Sequence, residues 1–153
     1  MMLLTLIVLT TACYLCYSAW VMGGVPESLS STYYGLKEDG WLFQALCIGI
    51  AFGILPMWLD ACNGEYELLP FLACGGLMFT GAAPAFKLKL EGAVHYSAAV
   101  VCCISSILWL LLSGNYPFAL SMGFLGWLLF LKYGKWCWWL EVSVILSVLF
   151  ALL

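Results

Sequence analysis

A chain this apolar offers few side chains able to do chemistry, and they fall into three groups. Residues 25–34 read VPESLSSTYY and hold Ser28, Ser30, Ser31, Thr32, Tyr33 and Tyr34. His95 is the single histidine, and Glu141 carries a carboxylate into a long apolar run. A hydroxyl, an imidazole and a carboxylate are the parts of a Ser–His–Glu relay, in which the base takes the proton of a nucleophilic hydroxyl. The same groups equally make the hydrogen-bonding wall of a pocket for a polar ligand. Serines are common in loops, and no Gly-x-Ser-x-Gly elbow or phosphate-binding glycine loop accompanies these. The hydrolase reading from Ser30, His95 and Glu141 is therefore the weaker, and the chain is expected not to be an enzyme. One histidine cannot supply the multi-histidine zinc site of an intramembrane hydrolase. Neither a metal nor a cofactor is expected.

The solvent of this chain is largely lipid. Of 153 residues 65% are hydrophobic and 8% charged, with mean hydropathy +1.07. A soluble domain carries about 25% charged residues, so this chain cannot cover its surface with polar groups. It has five lysines and no arginine, which excludes the basic cluster that nucleic-acid binding needs.

Six apolar segments can position the polar groups: Met2–Met22, Trp41–Leu59, Leu68–Phe86, Gly92–Ser113, Pro117–Leu131 and Trp136–Leu153. Most approach the ~20 residues that span a hydrocarbon core, and backbone in lipid must satisfy its own hydrogen bonds, so each predicts a helix. The expected fold is all-α: residues 1–153 form one bundle of six transmembrane helices, antiparallel neighbours joined by short connections. The first segment lacks a basic residue before its apolar core, which is too long for a signal peptide. With six crossings, Lys37, Lys87, Lys89, Lys132 and Lys135 all fall at one end, together with the hydroxyl-rich connection, His95 and the near end of Glu141's segment. The positive-inside rule makes that end cytoplasmic and both termini external.

Close helix approach in lipid relies on small residues. Gly49 and Gly53 in the second segment, Gly76 in the third, and Gly123 and Gly126 in the fifth are the expected packing glycines. Such a seam packs within the chain or builds a homo-oligomer. Pro56 and Gly81-Ala-Ala-Pro84 predict a kink or early stop near the ends of the second and third segments. Trp41, Trp58, Trp136, Trp138 and Trp139 lie near segment ends and are expected at the headgroup level. The eight cysteines read as small packing residues with free thiols, and the mid-segment Cys13-x-x-Cys16 lacks the context of a redox motif.

Glu141 has two readings: a headgroup-level acid paired with Lys135 or Lys132, or one wall of a pocket. An intramembrane ionisable group commonly faces the bundle interior and marks function. In the pocket reading, Ser28, Ser30, Ser31, Tyr33, His95 and Glu141 hold a polar ligand. A membrane lipid is the natural candidate, its phosphate met by Lys87 and Lys89.

Ser28-Leu29-Ser30-Ser31-Thr32 after the first segment, Gly81-Ala82-Ala83-Pro84 closing the third and Val94-His95-Tyr96-Ser97-Ala98-Ala99 opening the fourth carry a family likeness. Together they resemble the DRAM/Frag/Sfk-type six-helix membrane proteins and a related bacterial membrane family of unknown function. Those proteins have a Ser-Ile-Ser-Asp-Thr-Gly-like motif after the first helix. This chain departs from it at Ser31, in place of the acid, and at Tyr33, in place of glycine. The resemblance implies a six-helix bundle linked to membrane-lipid organisation, without catalysis, and a first loop on the outer side, opposite to the lysine count. The leading expectation is a non-enzymatic membrane protein that binds or positions a lipid or small amphiphile. The alternatives are a structural or assembly subunit with a membrane-protein partner, and a channel or small transporter.

Overall fold

The computed structural model describes residues 2–85 and 88–153, with the side chains of 85 and 88–91 not described. The helices are α1 (Met2–Val21), a short α2 (Ser31–Gly35), α3 (Trp41–Ala61), α4 (Leu68–Ala82), α5 (Leu88–Leu112), α6 (Tyr116–Tyr133) and α7 (Trp136–Ala151). No strand occurs among the described residues. Every apolar segment has become one long helix, as intrachain pairing of buried backbone groups requires.

The boundaries shift in ways with local causes. The fourth segment is helical from Leu88, not from Gly92, so Lys89 stands in the first turn of α5 and not in a loop. The third ends as α-helix at Ala82 and tightens into a 3-10 turn, Ala83–Ala85, around Pro84. Pro56 does not stop α3, which continues to Ala61. The fifth gains residues at both ends, with Pro117 tolerated in the first turn of α6, where an N–H has no intrahelical partner anyway. Gly134 ends α6 at φ 70°, in the left-handed region that favours glycine. The opening connection is itself folded, into α2 and a 3-10 turn, Lys37–Gly40.

Helix α4 packs between α3 and α5, α1 lies on α3, and α7 touches both α1 and α5. These five close into a ring, and α6 packs outside it against α7 and α5. The peripheral place of α6 explains why Gly126 is its only buried residue. In the core, Trp58 and Trp109 meet edge to face at 5.2 Å between ring centroids. The Trp109 indole N–H donates to Cys62 Sγ at 3.1 Å, tying the end of α3 to the end of α5. Of the tryptophans near segment ends, Trp58 and Trp138 are buried against other helices, at 2% and 3% exposure, while Trp41 and Trp136 are exposed.

The glycine expectations divide in the same way. A Cβ at Gly76 would sit 2.6 Å from the Ala98 carbonyl oxygen and 2.8 Å from the Cys102 nitrogen, so α4 and α5 touch backbone to backbone there. Gly126 meets Ser143 and the Trp139 carbonyl on α7, and Gly53 meets Ile7 on α1. A Cβ at Gly49 or Gly123 would meet nothing within 4 Å among the described residues. Gly81, just before the early stop of its helix, presses against Cys47, where a Cβ would lie 2.8 Å from the cysteine Cβ.

Among the described residues, three helical stretches are long and apolar enough to cross a membrane: Met2–Val21, Lys37–Ala61 and Gly92–Leu112. Leu68–Ala82 and Trp136–Ala151 are shorter and also apolar. Large hydrophobic side chains such as Leu6, Phe52, Phe71, Ile104, Phe124 and Leu131 point outward from these helices and from α6. An exposed apolar surface of that extent is what a lipid-facing wall looks like.

Candidate functional cleft at one end of the bundle

The connection between α1 and α3 is drawn over the end of α7 by three contacts. The backbone N–H of Leu29 donates to Glu141 Oε2 at 2.6 Å. The Trp138 N–H donates to the Glu27 carbonyl oxygen at 3.2 Å. Lys135 forms an ion pair with the Glu27 side chain. The reach of Lys135 depends on the turn between α6 and α7, where it takes a left-handed conformation, φ 61°, next to Gly134. Such a conformation costs a non-glycine residue roughly 1–2 kcal/mol, and here it aims the lysine back across the bundle end.

Below these ties the connection is ordered by its own hydroxyls. Ser28 and Ser30 share a hydrogen bond between hydroxyls at 3.0 Å. Ser31 Oγ donates to the Ser28 carbonyl at 2.7 Å, and the Ser31 N–H donates to Ser28 Oγ at 3.1 Å. The fully buried Thr32 bonds the Tyr14 hydroxyl on α1. Tyr17 donates to Asp39 Oδ2 at 2.6 Å. A polar segment in an apolar chain thus satisfies most of its groups locally, which is the condition for burying it.

Between this cap and the ends of α4, α5 and α7 lies a cleft of about 810 Å³. Its polar wall is formed by Ser28, Ser30, Ser31, His95 and Glu141, with the Glu27–Lys135 pair at the side. Its apolar wall includes Phe43, Val100, Leu140 and Trp136. Tyr34 and Tyr96, both exposed, stand among its lining residues, as do the partly buried Cys103 and Cys137. His95 packs edge to face against Tyr96 at 5.7 Å.

The cleft therefore gathers Ser28, Ser30, Ser31, His95 and Glu141 from three distant parts of the chain. Tyr33 is not among its lining residues: it packs against the core, and its neighbour Tyr34 takes the place expected for it. Lys87 lies outside the described residues, as does the side chain of Lys89. Glu141 is not paired with Lys135 or Lys132: Lys135 belongs to Glu27, and Lys132 lies over the Tyr133 ring at 4.9 Å. Ser30 is bonded to Ser28, and Glu141 to the Leu29 N–H, so the carboxylate serves the cap.

Sequence reasoning missed Glu27, although it adjoins the serines and is the one acid of that stretch. It also missed Phe43, Cys103 and Leu140, which carry no signal distinguishing them from other apolar residues of their helices. Among the described residues, no group of three or more His, Cys, Asp or Glu side chains is arranged to hold a metal ion. All eight cysteines are free thiols. Comparison of the chain with protein-family models, with curated proteins and with solved structures finds no match.

Proposed function

We propose that the protein is a non-enzymatic integral membrane protein whose six long helices all cross the bilayer, and that its cleft binds the polar end of a lipid or other amphiphile. The observation that carries this reading is the two-sided character of the cleft. Serine hydroxyls, an imidazole and a carboxylate face Phe43, Val100 and Leu140 across one space of about 810 Å³. A site with one wet wall and one greasy wall, open at the end of a bundle with an apolar exterior, matches a molecule with the same division. The lysine count supports a cytoplasmic position for this end, with both termini external. The reading rests on the geometry of the cleft and not on the resemblance to the DRAM/Frag/Sfk-type proteins.

Native mass spectrometry of gently extracted protein tests it. The wild type is expected to retain lipid, and Glu141→Ala, which removes a carboxylate from the polar wall and one of the ties between the cap and α7, is expected to lose it. No retained lipid on the wild type, together with a silent Glu141→Ala, would remove the basis for the reading.

A further inference from the structure

Towards the end of the bundle away from the cleft, two buried tryptophans meet, and their indole N–H groups fare differently. Trp109 on α5 donates to Cys62 Sγ at 3.1 Å. Trp58 on α3 is 2% exposed, and its Nε1–H has no hydrogen-bond partner among the described residues. A donor shut away from water and left unbonded carries its full desolvation cost, and native interiors rarely keep one.

Trp58 also lines a small cavity of about 30 Å³, together with Cys74, Cys102, Ser106 and Val148. Trp109 is not among the lining residues, so Trp58 presents to this space more than the part that meets its neighbour's ring. The register of the two helices says what stands opposite. α3 and α5 run in the same direction, with α4 returning between them. Trp58 comes four residues before Cys62, and Ser106 three residues before Trp109, about one helical turn in each case. The bond from Trp109 to Cys62 therefore sets Trp58 level with Ser106, one turn further in. Ser106 is buried, and its hydroxyl donates to the Cys102 carbonyl at 2.8 Å on its own helix. That leaves the lone pairs of its oxygen able to accept.

We propose that this cavity is a binding site for a single water molecule, which accepts from the Trp58 Nε1–H and donates to Ser106 Oγ, bridging α3 to α5. Size and chemistry select the ligand. A cavity holds a water once it offers about 10–15 Å³, so this one admits a water and little more. No charged side chain lines it among the described residues, and an inward N–H donor repels a cation. An apolar guest would leave the indole unbonded. The sulfurs of Cys74 and Cys102, weak acceptors on the same walls, can take the second proton of the water. The site shares no lining residue with the cleft, and it stands whatever the cleft binds.

Two measurements on the full chain in lipid test the bridge. An experimental map that resolves ordered waters is expected to show density about 2.7–3.2 Å from both Trp58 Nε1 and Ser106 Oγ, the range of a hydrogen bond. In protein labelled with nitrogen-15 at its indoles, the Trp58 signal is identified by its loss in Trp58→Phe. It is expected to show a cross-peak to water, and in Ser106→Ala to lose that cross-peak and move upfield. A Trp58 N–H resting on the Trp109 ring with no density in the cavity would overturn the bridge. So would an indole signal unaltered by Ser106→Ala. The map needs no variant, so it decides even if a substitution prevents folding.

Discussion

Glu141 and Leu29 stand 112 residues apart in the chain and 2.6 Å apart in the fold, the carboxylate of α7 accepting the backbone N–H of the cap. This bond is one of the ties that join the last long helix to the first connection, and its carboxylate lines the cleft. Removing the acceptor leaves a partly buried N–H with nothing to bond, at a cost of about 1–3 kcal/mol. Glu141→Ala is therefore expected to lower the unfolding midpoint and to speed hydrogen exchange at the Leu29 amide. Glu141→Gln keeps a carbonyl oxygen in place and is expected to lose less than half as much. Equal losses from the two substitutions would mean that the bond contributes little.

The neighbouring Glu27–Lys135 pair is expected to behave differently. Its side chains are 73% and 36% exposed, and exposed ion pairs contribute only about 0–1 kcal/mol. Glu27→Gln should shift the unfolding midpoint slightly at low salt and not at all at high salt. The cap stays attached because the Trp138 N–H bonds the Glu27 main-chain carbonyl, which the substitution leaves in place.

At the opposite end of the bundle, Cys62 follows α3 and accepts from the Trp109 indole. Burial pushes its thiol above the ordinary cysteine value, with the Trp109 hydrogen bond opposing this in part. Desolvation disfavours the thiolate, so below its raised pKa the residue stays protonated and unreactive. Alkylation of Cys62 by iodoacetamide, followed by peptide mass spectrometry, should rise with pH and reach half its maximum above the ~8.5 of a free cysteine.

The packing glycines separate by what a methyl group would meet. Gly76→Ala forces α4 away from the backbone of α5 and is expected to destabilise by about 1–3 kcal/mol, as overpacking does. Gly49→Ala and Gly123→Ala place the methyl in open space and should not lower the monomer's unfolding midpoint but raise it slightly, by the roughly 0.5–1 kcal/mol that alanine gains over glycine inside a helix. If Gly49→Leu nonetheless changes the mass of the particle in nanodiscs, that face meets a second chain.

Six crossings with a cytoplasmic lysine end make an accessibility pattern. Single cysteines introduced at Glu38 and Gly134 should react with an impermeant maleimide only from the cytoplasmic side. Those at Glu65 and Ser113 should react only from the other. Labelling of Glu38→Cys and Gly134→Cys from opposite sides would end the six-crossing reading.

The helices were legible before any coordinates. Runs of ~20 apolar residues leave backbone groups no partner but their own segment, so Met2, Trp41, Leu68 and Trp136 each begin a helix where the apolar run begins. The grouping of Ser28, Ser30, His95 and Glu141 at one end followed from counting an even number of antiparallel segments, since direction alternates whatever the packing. Which side of each helix faces inward was not legible. The usual signal is a polar face opposite an apolar one, and helices apolar all round do not carry it. Trp58 and Trp138 look like Trp41 and Trp136 in sequence, yet two are core and two are exposed. Gly49 and Gly76 look alike until α5 is present to press against one of them. The lysine-paired reading of Glu141, one of the two open to it, fails for the same reason. Lys135 is six residues away along the chain, but the left-handed turn at its own backbone sends it to Glu27, and a main-chain N–H arrives from the other end of the protein. Local chemistry determined the elements and their polar ends. Only the rotation and contact of those elements decided which residues form a cleft, because that choice is made by packing between segments and by no segment alone.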